Sequence, residues 1–85
     1  MLLMIEVYGR DGCSYCEKAI DILERYKAKY SYYKLGRDLT AAEFKEKFPN
    51  QKTVPCVVVH GMKIGGYNEL AGYLEETSGG YTDDI

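Results

Sequence analysis

The sequence predicts one α/β domain in the order β-α-β-α-β-β-α, a small four-stranded mixed sheet flanked by three helices. Three observations predict it. The first 35 residues run apolar strand, amphipathic helix, strand, an order that implies a parallel pair joined by a crossover helix. A Val-dense run from Val54 to Val59 meets a second short run across His60-Gly61, the pattern of a hairpin with a two-residue turn. A length of 85 residues leaves room for one small core.

Each element has its own warrant. Leu2 to Tyr8 is apolar and bounded by Gly9, as expected of a buried strand. Arg10-Asp11-Gly12 is then a loop. From Cys16 the apolar positions Ala19, Ile20, Ile22, Leu23, Tyr26 and Tyr30 recur at helical spacing, with Glu17, Lys18, Asp21, Glu24 and Arg25 on the other face. That predicts a helix of about four turns. Ser31 to Leu35 has strand composition and ends at Gly36. Thr40 followed by Glu43 is a capping-box pattern opening a short helix, with Phe44 and Phe48 one turn apart and Pro49 as its stop. Val54 to Val59 is β-branched enough for burial on both faces, and Met62 to Gly65 is its return strand. Asn68 is placed to cap a last helix through Leu70, Tyr73 and Leu74, ending near Ser78-Gly79. The expected domain is therefore 1–78, with 79–85 a flexible acidic tail.

Composition excludes several classes of function. Hydrophobic residues make up 46% of the chain and charged residues 28%, as in ordinary globular domains. Eleven basic against thirteen acidic residues give a net charge of −2, so no basic surface argues for nucleic acid or an anionic membrane. Met1-Leu2-Leu3-Met4-Ile5 is too short for a secretory apolar segment, carries no basic flank and is broken by Glu6. Three cysteines are too few for a disulfide scaffold. The expectation is a cytoplasmic protein in a reducing compartment.

The chemistry centres on Cys13-Ser14-Tyr15-Cys16, between a strand and a helix. A sulfur at a helix start meets unpaired N–H groups and the positive end of the helix dipole, which favour the thiolate, the nucleophilic form. Cys16 lies one turn further in on the same face, placed to attack a mixed disulfide formed on Cys13. A bare C-x-x-C is also half a metal site, so context decides.

That context goes beyond pattern. Gly9-Arg10-Asp11-Gly12-Cys13-Ser14-Tyr15-Cys16, Gln51-Lys52-Thr53-Val54-Pro55 and Ile64-Gly65-Gly66-Tyr67-Asn68-Glu69-Leu70 together resemble the glutaredoxin family in order and spacing, over about Met4 to Leu74. The resemblance implies a thioredoxin-like fold and thiol–disulfide exchange with glutathione as co-substrate and no metal. Cys13 then matches the nucleophile and Cys16 the resolving thiol. Pro55 matches a cis proline that leaves the backbone of Val54 free to pair with the cysteine part of glutathione like an added strand. The same motif brings Thr53 to the glutathione-binding residues. Gly66, Tyr67 and Asn68 match the helix start that receives the γ-glutamyl carboxylate, as that geometry suits any anion. Arg10 and Gln51 match residues that reach the glycyl carboxylate or the thiolate. Tyr15 matches the aromatic beside the active sulfur.

The chain also departs from the family pattern. Ser14 replaces the proline common between the cysteines, adding a backbone donor and removing a fixed φ. Glu69 stands where aspartate is usual, one methylene longer, which puts its contact with the ligand amino group in doubt. Cys56 follows Pro55 and as a small strand residue needs no role. Gly79-Gly80-Tyr81 repeats Gly65-Gly66-Tyr67 without a strand before it, and binding is assigned to the first copy.

Two other chemistries compete. Cys13, Cys16, Cys56 and His60 make a four-ligand zinc set on paper, but positions 56 and 60 of one extended strand stand roughly 13 Å apart, whereas zinc ligands approach within about 4 Å of each other. The alternative that stays open is a [2Fe-2S] cluster held by Cys13 of two subunits and two glutathiones, as the resemblance to non-proline glutaredoxins allows. The preferred expectation is a monomeric dithiol enzyme acting on glutathione and on disulfide-containing client proteins, with ribonucleotide reductase a client by resemblance only.

Overall fold

The computed structural model describes the backbone of residues 4–83 and the side chains of residues 4–76. Its elements are β1 (Ile5–Gly9), α1 (Ser14–Arg25), β2 (Tyr30–Lys34), α2 (Ala41–Lys47), β3 (Cys56–Val59), β4 (Met62–Gly65) and α3 (Tyr67–Asp83), in the predicted order. The strands form one sheet ordered β2-β1-β3-β4. β1 and β2 pair in parallel, with Val7 opposite Tyr32 and Gly9 opposite Lys34. β3 runs antiparallel to both β1 and β4. This mixed sheet with three helices is the thioredoxin-like arrangement the resemblance implies.

Period-two alternation divides the sheet between two cores. Val57 and Val59 point with Ile5 and Val7 toward Ala19, Ile22 and Leu23 of α1 and Leu70 and Leu74 of α3. Cys56 and Val58 point the other way, with Tyr8, toward Phe44 of α2. All four residues of β3 are buried, as its continuous apolar run requires of a strand covered on both faces. Among the described residues, no helix is long and apolar enough to cross a membrane.

The boundaries differ from expectation where tertiary pairing overrides local pattern. β1 begins at Ile5 and takes in Gly9, which pairs with Lys34. Leu2 and Leu3, expected in that strand, lie outside the described residues. α1 stops at Arg25 after 12 residues rather than running on toward Tyr30. Lys27 turns left-handed at φ 57, and its N–H reaches the Glu24 carbonyl (3.0 Å) while the Ala28 N–H reaches that of Leu23 (2.9 Å). These two bonds make a Schellman end. Tyr30 accordingly opens β2, one residue ahead of the expected start, and Leu35 falls beyond its end. β3 starts at Cys56, not Val54, because the Val54–Pro55 peptide is cis and Pro55 has no N–H to give a ladder.

α2 follows expectation in detail. Thr40 and Glu43 form the reciprocal capping box, and Phe48 closes the helix before Pro49. α3 does not. It starts two residues early, at Tyr67, so Gly66 rather than Asn68 stands before it, and it continues through Gly79 and Gly80 to Asp83 instead of ending near Ser78. A glycine pair weakens a helix without ending it. Asp84 and Ile85 of the expected tail lie outside the described residues.

Candidate active site

β1 ends beneath a loop whose Gly12 is left-handed (φ 72), a conformation open to glycine, and that turn delivers Cys13 to the start of α1. Cys13 is the N-cap: its backbone is extended and its Sγ accepts the Cys16 N–H at 3.1 Å. Cys13 and Cys16 form a disulfide across one helical turn, with Cα atoms 5.2 Å apart. The two sulfurs are not equivalent. Cys13 is 9% exposed and Cys16 1%, so a thiol arriving from outside meets Cys13 first. Once that bond opens, the Cys16 N–H and the dipole of α1 remain at Cys13 to hold a thiolate.

The cis peptide brings the second segment in. The Val54 carbonyl oxygen lies 3.7 Å from Cys13 Sγ, and Val54 itself lies outside the β3 ladder. The Gln51 side-chain amide donates to the Thr53 carbonyl at 2.8 Å and so braces the loop that carries Val54. Arg10, Gln51, Thr53 and Val54 share a cavity of about 630 Å³, walled further in by Leu35 and Phe44, with Lys45 and Lys52 among its lining.

The start of α3 is the third segment. A Cβ on Gly66 would stand 3.4 Å from the Pro55 carbonyl oxygen, so the helix start packs directly on the cis-proline loop. The Leu70 N–H bonds the Gly66 carbonyl at 3.0 Å, and Glu69 Oε1 accepts the Gly66 N–H at 2.9 Å. Those bonds from the Gly66 N–H, then from its own N–H, hold the Glu69 carboxyl below the usual carboxylate range. Glu69 thus caps its own helix. Tyr67 meets Tyr15 with ring centroids 5.9 Å apart, joining α3 to the cysteine turn. Tyr15 is 53% exposed, with the Lys18 ammonium 4.9 Å from its ring centre.

Three stretches far apart in sequence therefore meet around the cysteine turn. Asn68 is exposed in the first turn of α3 and is not its cap. Cys56 lies in the smaller core on the α2 side of the sheet, where burial pushes its thiol up to about 11. His60 occupies the hairpin turn with φ 52. Among the described residues, no group of three or more His, Cys, Asp or Glu side chains is placed to hold a metal ion.

One residue at the site escaped the sequence argument. Tyr32, read there only as strand composition, extends its side chain from β2 over Gly9, where a Cβ on Gly9 would meet both its hydroxyl and the sulfur of Cys16. No local motif marks it. Its position follows from the parallel register of β1 and β2, which a single sequence does not specify.

Comparison with known proteins agrees with this geometry. The family profile described as Glutaredoxin matches residues 5–64. Glutaredoxin 1 of Escherichia coli K12 is 30% identical over 77 residues, covering 82% of this chain and 91% of the relative. The solved structure of reduced Escherichia coli glutaredoxin superposes with a TM-score of 0.70 at 29% identity, over 86% of this chain and 94% of that one. Glutaredoxin 1 from Francisella tularensis, solved with cacodylate, gives a TM-score of 0.77 at 20% identity, over 91% and 98%, and bears on the fold alone. With its cysteine pair at the head of α1 and a profile match across most of its length, this chain belongs to the glutaredoxin family of thiol–disulfide oxidoreductases.

Proposed function

We propose that this protein reduces protein disulfides and glutathione mixed disulfides at the expense of glutathione, with Cys13 as nucleophile and Cys16 as resolving thiol. The observation that carries this reading is the unequal burial of the two sulfurs beside the backbone of Val54, which lies outside the β3 ladder. In the reduced enzyme the Cys13 thiolate attacks a glutathione mixed disulfide, a bond forms between Cys13 and the glutathione sulfur, and the client thiol leaves with the electron pair. A second glutathione thiolate then attacks that sulfur and frees Cys13 as glutathione disulfide departs. With a protein disulfide, Cys13 first bonds one client sulfur, and Cys16 then attacks Cys13, closing the internal disulfide and releasing the reduced client.

Glutathione is an extended, twice-carboxylated ligand. Val54 pairs with its central peptide, as added strands do at cis-proline loops, with Thr53 and Pro55 fixing that edge. Arg10 and Gln51 face one carboxylate from the cavity they share. Gly66, Tyr67, Asn68 and Glu69 at the start of α3 meet the γ-glutamyl end, and Tyr15 forms the wall beside the sulfur. The enzyme works as a cytoplasmic monomer, and ribonucleotide reductase is among the disulfide-bearing clients the family resemblance suggests.

Turnover of a glutathione mixed disulfide coupled to glutathione reductase tests this, run beside the same assay driven by thioredoxin reductase. Activity only with the thioredoxin system would overturn the glutathione reading. Cys13→Ser is expected to abolish every exchange, whereas Cys16→Ser keeps removal of glutathione and loses reduction of client disulfides that need two thiols. Equal losses in both variants on both substrates would overturn the roles.

A further inference from the structure

We propose that Tyr32 is the hydrogen-bond donor that receives the Cys16 thiolate when the Cys13–Cys16 bond opens. Gly9 shows how the two groups meet. A Cβ at position 9 would run into the Tyr32 hydroxyl and stand 2.9 Å from Cys16 Sγ and 3.0 Å from Tyr32 Cε1. The phenol end and the resolving sulfur therefore share the space over Gly9, which only the absence of a side chain leaves open. The parallel ladder carries Tyr32 there, two residues before Lys34, the partner of Gly9.

The chemistry needs such a donor. An external thiolate attacks Cys13 Sγ, the new sulfur–sulfur bond forms, the Cys13–Cys16 bond breaks, and its electron pair passes to Cys16 Sγ. Cys16 is 1% exposed, so the thiolate appears with little access to solvent, and a largely buried anion without a partner is costly. Cys16 and Tyr32 line one cavity of about 360 Å³ with Arg10, Asp11, Glu17, Lys34 and Arg37. Two of its cations are already engaged: Lys34 Nζ is 3.0 Å from Asp11, and Arg37 is 2.7 Å from Asp38. Tyr32 is raised above the usual tyrosine range, chiefly by burial, so at neutral pH it keeps its proton and donates it in a hydrogen bond. The cavity then lets water supply the proton that finally converts Cys16 to a thiol. The same bond raises the thiolate fraction of Cys16 for the reverse step, the attack that closes the disulfide.

The proposal rests on exchange at Cys13 but not on glutathione, and its test uses dithiothreitol so that the two can fail separately. Opening of the Cys13–Cys16 disulfide of the oxidised full chain by dithiothreitol is expected to slow about tenfold or more in Tyr32→Phe, the order expected for losing a hydrogen bond to a charged group. In the Cys13→Ser protein, the ultraviolet absorption of the Cys16 thiolate is expected to appear at higher pH with Phe at position 32 than with Tyr. 3-Fluorotyrosine placed at position 32 alone keeps the shape, strengthens the donor and should shift both readouts the opposite way, which covers the case of a poorly folded Tyr32→Phe. In a Cys16→Ser background, removal of glutathione from Cys13 should be the same with Tyr or Phe. Equal opening rates with Tyr and Phe, an unmoved Cys16 titration, or a loss that persists in the Cys16→Ser background would each overturn the proposal.

Discussion

Cys13 and Cys16 share a motif, a helix and a bond, yet they differ in exposure, 9% against 1%, and that difference supports the proposed division between attack and resolution. Gly9 extends that division, since it holds open the space that Tyr32 and Cys16 Sγ share. Gly9→Ala is therefore expected to destabilise the protein by about 1–3 kcal/mol, the range for overpacking a closed site, because the new methyl meets the phenol and the sulfur at once. The urea midpoint of the oxidised protein measures it, and a midpoint equal to wild type would show that Tyr32 yields freely. At this scale the sequence was informative wherever a residue type obeys a local rule. Cys13 at a helix start and Thr40 as a cap are placed by rules that need no partner element. Tyr32 obeys none. Its place beside Gly9 follows from the β1–β2 register, in which it pairs with Val7, and Glu69 likewise shows its reach only once the Gly66 N–H is in place.

Among the elements, starts were more legible than ends. Thr40 and Glu43 announced α2 because both halves of the capping box are side chains, and both bonds are made, at 3.0 and 2.8 Å. At α3 two frames competed: Asn68 is a good cap by type, but Glu69 stands three residues after Gly66 and supplies the returning carboxylate, and that frame won. The end of α1 carried no signal at all, because the left-handed position that glycine usually fills is occupied by Lys27. This gives a prediction for the element. A side chain at φ 57 costs about 1–2 kcal/mol relative to glycine, while glycine costs about 0.4–1 kcal/mol through the freedom it adds to the unfolded chain. Lys27→Gly is thus expected to stabilise the protein by about 0.5–1 kcal/mol with exchange unchanged, read by chemical denaturation, and a lower stability would mean that the Lys27 side chain makes a contact that outweighs the strain.

For the whole molecule, the sheet separates chemistry from support. The larger core fixes α1 and α3, whose N-terminal ends meet through Tyr15 and Tyr67, while the smaller core of Tyr8, Phe44, Cys56 and Val58 holds α2 on the far face. Both titratable groups of that smaller core are acids kept in their neutral form. Cys56 is pushed up to about 11, chiefly by burial, and Tyr8 to about 12, by burial first and then by the Glu6 carboxylate. The sign follows from linkage: with the folded value above the unfolded one, the unfolded chain releases its protons first as pH rises. The stabilisation is complete below about pH 9, the ordinary range of a thiol, and is lost progressively between there and the folded values of about 11 and 12. For Cys56, wholly shielded from solvent, a shift of this size corresponds to a loss on the order of 2 kcal/mol. Denaturant midpoints measured from pH 8 to 11 should therefore fall, and in Cys56→Ala the early part of that fall should flatten even though the variant starts from a lower midpoint. A wild-type midpoint that stays level to pH 11, or a Cys56→Ala curve parallel to it, would show that the smaller core opens too readily for its thiol to couple to the stability of the fold.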